Sequence, residues 1–475
     1  MRTKILFLAA LCLVSSCVPS LPRRDHKALE LPQEFTDWKN SPETESLANK
    51  AWTEFFQEPQ LVALIDIAVK NNQELAILEQ EINVANNEIM ARHGEYLPKV
   101  GVGATAGVEK TERFSTEDAN GQTRFSRGGL VMNWEVDIWK KLRNATKAAY
   151  LRYLAGIEGR RYVLTNLIAE VADTYYELMS LDNQVQLIED YIGVLNQVKN
   201  MVVLQREAGR TTSLGVTRFE AEVAKNIARR YELKQRIAVT ENRLNLLLGR
   251  FPQPIPRTSG NFLLIQLAEI NTSVPVKLLE NRPDIKQASL NLEARKLDVD
   301  VARARFYPSL TIDGTVGYEA FNGGHFEGTP VSLAYGLAAG LSAPLLNRKG
   351  IQASYLSANN MQIQAVYNYE YTLVKAFTEV SNQIIRLKNL RSKFEMKEKQ
   401  VAALKNSVQI SNVLFKAGRI DYIEVLLTQR DFLEAQIDLF EVKEIQLEAT
   451  IGLYKAIGGG WRGQNEASQE PHWQP

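Results

Sequence analysis

Few residues of this chain are spaced to do chemistry, and the clearest is a cysteine. Arg2 and Lys4 precede ten apolar residues, Ile5 to Val14, followed by Ser15, Ser16 and Cys17. A run of ten is too short to cross a bilayer as a helix, so it reads as the core of a secretory signal. Small residues directly before Cys17 resemble the bacterial lipobox, after which the cysteine is diacylated and becomes the mature N-terminus. Val18 follows where an aspartate would signal inner-membrane retention, so the outer membrane is the expected address. Cys12 leaves with the signal, and a mature chain with one thiol forms no internal disulfide.

The other chemical signals are weak. The four histidines, at 26, 93, 325 and 472, are scattered, and no His/Cys/carboxylate cluster has metal-ligand spacing. Seven methionines are likewise dispersed. "GVGATAG", Gly101 to Gly107, loosely resembles a dinucleotide-binding loop, but it lies inside an alternating strand pattern and opens no helix. No nucleophile-and-base constellation is legible, so the expectation is a protein that is not an enzyme and needs no cofactor beyond a covalent lipid on Cys17. Loss of the leader turns a formal net charge of +1 into about −1, which does not suggest a nucleic-acid binder.

Prolines show which elements organise the rest. They occur at 98 and then not until 252, and after 344 not until 471. Proline-free spans of this length predict very long helices, because an interior proline removes a hydrogen bond and clashes with the preceding turn. Leu164, Leu167, Val171, Leu178, Leu181, Val185, Ile188, Ile192, Leu195 and Val202 follow a 3-4 spacing broken only by Thr174 and Lys199, the seam of helices packed as coiled coils. Helices over 143–208 and 350–416 would each extend about 100 Å. Each ends in "AGR", at Ala208 to Arg210 and at Ala417 to Arg419, where a left-handed glycine stops the helix and turns the chain into a returning one over 213–248 and 420–457.

The chain writes this unit twice. "YLPKVGVGATAGVE" (96–109) matches "FYPSLTIDGTVGYE" (306–319) at an offset of 210, and Asn71, Gln73 and Glu74 match Asn281, Pro283 and Asp284. Each half reads helix, strand pair, long helix, turn, returning helix. The division expected is a signal at 1–16, an extended lipid-anchored segment at 17–44, repeats at 45–250 and 276–459 joined by a linker at 251–275, and a tail at 460–475. Strand pairs are expected near 99–109 with 125–138 and near 309–319 with 331–343. "TERFSTEDANGQTRFSRGG" (111–129) and "AFNGGHFEGTP" (320–330) read as polar hairpin loops between them.

All four strands alternate an apolar face, such as Leu333, Tyr335, Leu337 and Leu341, with a small or polar one. A half-buried soluble sheet would alternate too. Length near ten residues, an off-face rich in small residues and export together favour strands that cross a bilayer. Four strands cannot close a barrel, and open edges are not tolerated in lipid, so several copies must pool their strands.

With the lipobox at Cys17, "LLENRPDI" before the second strand pair, "FYPSL" entering it, "WEVDIWKKLR" at 134–143 and "AGR" at both turns, the chain resembles the TolC-like outer membrane channels, and among them the OprM-like, NodT-type lipoproteins. The resemblance implies a mixed α and transmembrane-β fold: a homotrimer whose twelve strands form one outer-membrane barrel, continued by a coiled-coil α-helical barrel. It implies the exit duct of a tripartite efflux system of the RND type, a passive channel partnered by a periplasmic adaptor and an inner-membrane transporter. A lipoprotein tether without channel activity and the outer-membrane component of type I secretion are the alternatives. Lys140 departs from relatives that have glycine there, which predicts a different strand exit.

By the same resemblance the periplasmic end is closed by acidic residues after the second turn. Glu424 holds the matching position, Asp421 is a second candidate, and Leu427 stands where some relatives have another acid. Asp421 and Glu424 also suit the acidic first turn of a helix. Gly209, Arg210, Gly418 and Arg419 at the two turns are the expected adaptor contacts.

Overall fold

The computed structural model describes residues 18–21, 32, 50–110, 122–267, 281–321, 332–342 and 348–461. Cys17 and the expected hairpin-loop centres at 111–121 and 322–331 lie outside them. In chain order the elements are α1 (Trp52–Phe55), α2 (Pro59–Asn71), α3 (Gln73–Tyr96), β1 (Lys99–Lys110), β2 (Gln122–Val136), α4 (Lys141–Glu207) and α5 (Ser213–Leu247). A 3-10 turn at Ser259–Leu264 separates these from α6 (Pro283–Ala304), β3 (Ser309–Phe321), β4 (Ser332–Ser342), α7 (Lys349–Lys416) and α8 (Tyr422–Ala456). No described helix is long and apolar enough to cross a membrane.

Two compact units share these elements. One contains Gln80–Ile157 and Gln287–Glu370 with residues 18–21, the other residues 50–79, Glu158–Lys286 and the chain from Tyr371. The first unit holds a single antiparallel sheet in the order β1-β2-β3-β4, so the two hairpins of the duplication join through β2 and β3. The second is a helical bundle with two apolar cores. One gathers α1 and α2 around Leu164 to Met179 of α4 and Leu447, Ile451 and Tyr454 of α8. The other runs from Leu181 to Val202 against Val216, Phe219, Phe415 and Val425. The coiled-coil seam of α4 is the buried face of both, and Thr174 fits within it because its hydroxyl donates to the Glu170 carbonyl at 2.7 Å.

Two sequence expectations need correction. Residues 122–124, given to the loop, are strand, and 125–129 are strand rather than loop: β2 begins at Gln122, ahead of the expected start near 125. Gly129, at the end of the stretch read as loop, lets two strands meet closely with Gly317, since a Cβ on Gly129 would sit 2.3 Å from the Val316 carbonyl and one on Gly317 2.4 Å from that of Gly128. The same strand stops at Val136 rather than 138, because Asp137 is drawn into capping α4. Its carboxylate accepts the backbone N–H groups of Leu142 and Arg143, both at 3.0 Å.

Candidate functional site

The register aligns the alternation of all four strands. Val102 pairs Leu130, Leu130 pairs Val316 and Val316 pairs Tyr335, so one apolar row crosses the whole sheet. These side chains are exposed by 86%, 54%, 53% and 84%. Neighbouring rows on this face include Val100, Met132, Gly314 and Leu337. The opposite face is mostly small or polar, with Phe125 and Val131 as apolar exceptions. There Arg127 donates to Glu319 at 2.5 Å and stacks over Phe125, and Asn133 donates to Asp313 at 2.5 Å. A surface far more apolar on one side than on the other, with β1 and β4 unpaired at its edges among the described residues, suits lipid outside and water inside.

Tryptophans fix the junction where strands give way to helices. Trp134 Nε1 donates to the Tyr96 carbonyl at 3.0 Å and Trp139 Nε1 to the Pro308 carbonyl at 2.7 Å, with the Trp139 ring stacked on Tyr307. The aromatic-x-Pro elements of the two repeats are thus docking points for indoles. Lys140 adopts φ +58°, so this strand exit passes through a left-handed backbone position at a residue with a side chain. Val18 and Leu21 pack beside Phe306 and Tyr355, next to the start of β3.

At the far end of the long helices both turns close identically. Gly209 (φ +71°) and Arg210 donate to the carbonyls of Arg206 and Gln205, and Gly418 (φ +68°) and Arg419 to those of Phe415 and Leu414. This six-to-one and five-to-two pairing is the Schellman closure. It brings the two turns together in one bundle: Tyr422 lies against Gly215 and packs near Phe219. Glu424 and Asp421 are exposed, and neither joins an ion pair among the described residues. Asp421 occupies the N-cap position of α8 without a side-chain cap bond, so its carboxylate is not spent on the helix. Both border an open groove of about 560 Å³ that Ser407, Ser411, Leu414 and Thr428 complete. Leu427 is exposed at the same end.

Sequence reasoning used "NRPD" as a signature without giving it a task. Arg282, buried, donates to the Ala456 carbonyl at 2.9 Å and pairs with Asp284 and Glu379, each at 2.8 Å. It satisfies an orphan carbonyl at the end of α8, whose own stop is the Schellman pair Gly458 and Gly459. Asn72, its counterpart at an offset of 210, donates to Leu247 at the end of α5 at 3.0 Å and accepts from the Leu75 N–H. Pairing the offset with the helix-end glycines would have exposed this clasp in the sequence.

A duplicated hairpin carrying a one-sided apolar strand face and polar helix turns defines the class of outer-membrane channels. The sequence model described as "outer membrane efflux protein" matches residues 64–250 and 274–459, one block per repeat, and the chain belongs to that family. It is similar to the pyoverdine export outer membrane protein OpmQ of Pseudomonas putida, 28% identical over 88% of this chain and 90% of the relative. The probable outer membrane lipoprotein SilC of Salmonella typhimurium is 26% identical over 97% and 99%. Among solved structures, that of CusC matches with TM-score 0.80 at 24% identity over 92% of this chain and 99% of that one. The open-state MtrE outer membrane channel of Neisseria gonorrhoeae matches with TM-score 0.79 at 22% identity over 93% and 98%.

Proposed function

We propose that this chain is the exit duct of a tripartite efflux system of the RND type, a passive homotrimeric channel carrying small molecules from periplasm to exterior. The observation that carries this is the exposed apolar row from Val102 to Tyr335 on a sheet with two unpaired edges. Edges cannot stand open in lipid, and three copies of four strands make a closable twelve-stranded barrel. Relatives named for pyoverdine export and as an outer membrane lipoprotein point the same way. An acyl chain on Cys17 would enter the outer membrane beside the barrel, since Val18 already packs near the start of β3. The turns at Gly209, Arg210, Gly418 and Arg419 meet the periplasmic adaptor, through which the inner-membrane transporter delivers cargo. Glu424, with Asp421, narrows the closed tip and favours cations there. Purified protein should run as a heat-resistant trimer and conduct in planar bilayers. A monomeric protein that yields no conductance overturns the proposal.

A further inference from the structure

A layer of charge crosses the helical bundle where the two hairpins meet. Long helix α4 contributes Glu170, Asp173 and Glu177, α5 contributes Arg236 and Arg243, α7 contributes Arg386, and α8 contributes Glu444, Glu448 and Lys455. The arginines are committed. Arg243 holds Glu170 at 2.9 Å and approaches Glu177 at 3.8 Å, Arg236 reaches Glu177 at 4.0 Å, and Arg386 holds Glu448 at 3.1 Å. Two carboxyls remain without a cation in contact. Asp173 has a buried oxygen with no hydrogen-bond partner among the described residues, and Glu444 lies beside the Ser180 hydroxyl and joins no ion pair among them. Each sits on one of the two facing helices, α4 and α8, whose apolar residues form the shared core.

We infer that Asp173 and Glu444 form a two-proton latch between the hairpins: protonated, they let α8 seat against α4, and ionised, they push the two helices apart. Burial, reinforced by Glu448 and only partly offset by Lys455, Arg243 and Arg386, raises the Asp173 carboxyl to about 7. Burial, with Glu177 and Glu448 adding to it and Ser180 and Arg236 opposing it, raises Glu444 to about 7 as well. Their ordinary values are 3.8 and 4.5, so over the interval up to about 7 the folded bundle binds protons that the unfolded chain releases. The contribution is therefore full below the ordinary values, declines as pH rises through the interval, and is gone above about 7.

Two readouts on the full-length protein in detergent test this independently of conduction. Infrared difference spectra should show protonated-carboxyl absorption that disappears as pH is raised through neutrality, and Asp173→Asn with Glu444→Gln should remove it. Thermal midpoints of the wild type should fall by several degrees relative to the double variant between about pH 5 and about pH 8, the variant being the more stable at the alkaline end. Asn and Gln keep the shape of the two side chains, and far-ultraviolet circular dichroism checks that the variant is folded before the comparison. Absence of the titrating absorption, or the same pH slope in both proteins, overturns the latch.

Discussion

Gly209 and Gly249 hold nearly the same backbone conformation, φ +71° and +67°, in the same kind of helix stop, but differ in their surroundings. A Cβ on Gly209 meets nothing within 4 Å, whereas one on Gly249 lies 2.2 Å from the Asn71 carbonyl oxygen. Gly209→Ala therefore costs only the left-handed penalty, about 1 kcal/mol. Gly249→Ala carries that penalty and must also displace the chain at Asn71 to Gln73. The shift breaks the bonds from Asn72 to Leu247 and from Gln73 to Gly249, at 3.0 and 3.2 Å. At about 1 kcal/mol each, the total is about 3 kcal/mol. The second repeat supplies an internal control. Gly418 is open, and a Cβ on Gly458 would lie 3.2 Å from Arg282 N, tight but short of collision. The expected order of loss on alanine substitution is Gly209 and Gly418 smallest, Gly458 intermediate and Gly249 largest. Rates of unfolding in denaturant, followed by circular dichroism on protein in micelles, measure it without requiring reversibility. Equal effects at Gly209 and Gly249 would refute the docking of helix ends onto the clasp.

Arg282→Met leaves Asp284 and Glu379 without their shared cation and should destabilise by about 3 kcal/mol, whereas Asn72→Ala loses neutral bonds only and should cost about half that, both read from the same unfolding rates. Lys140→Gly relieves a left-handed lysine and should stabilise by up to about 1 kcal/mol, visible as slower unfolding; a loss instead would mean that the lysine stem packs usefully. Glu424→Ala should change single-channel conductance and lower cation preference in planar bilayers, and unchanged values would remove Glu424 from the gate.

Much of this architecture is legible in the sequence because each signal is long or repeated. A heptad seam of ten apolar positions and proline-free spans over a hundred residues long specify α4 and α7 within a few residues, and alternation specifies all four strands. Gly129 misleads because close strand approach and a loop use the same residue for different reasons, and only the partner Gly317 distinguishes them. The left-handed turn at Lys140 is not announced by its residue type, because Asp137 and the start of α4 define it from both sides. The clasp at Arg282 and the buried acids Asp173 and Glu444 join residues many positions apart, and local periodicity carries no information about such pairs.

The duplication preserves form and divides labour. At an offset of 209, Val198, Val202 and Phe219 of the first hairpin correspond to Ser407, Ser411 and Thr428 of the second. The first set is buried in the core, while the second lines an open groove. The carboxylates follow the same division: Asp421 corresponds to Thr212 and Glu424 to Gly215, where the small residue admits the Tyr422 ring. A side chain at 215 would collide with that ring, so the packing that joins the hairpins excludes an acid from this one position of the first repeat. On the proposed trimer the carboxylates at 421 and 424 would recur once per chain around the tip. Six near-equivalent hairpins could build a smooth wall there, while Asp421 and Glu424 would keep only threefold symmetry.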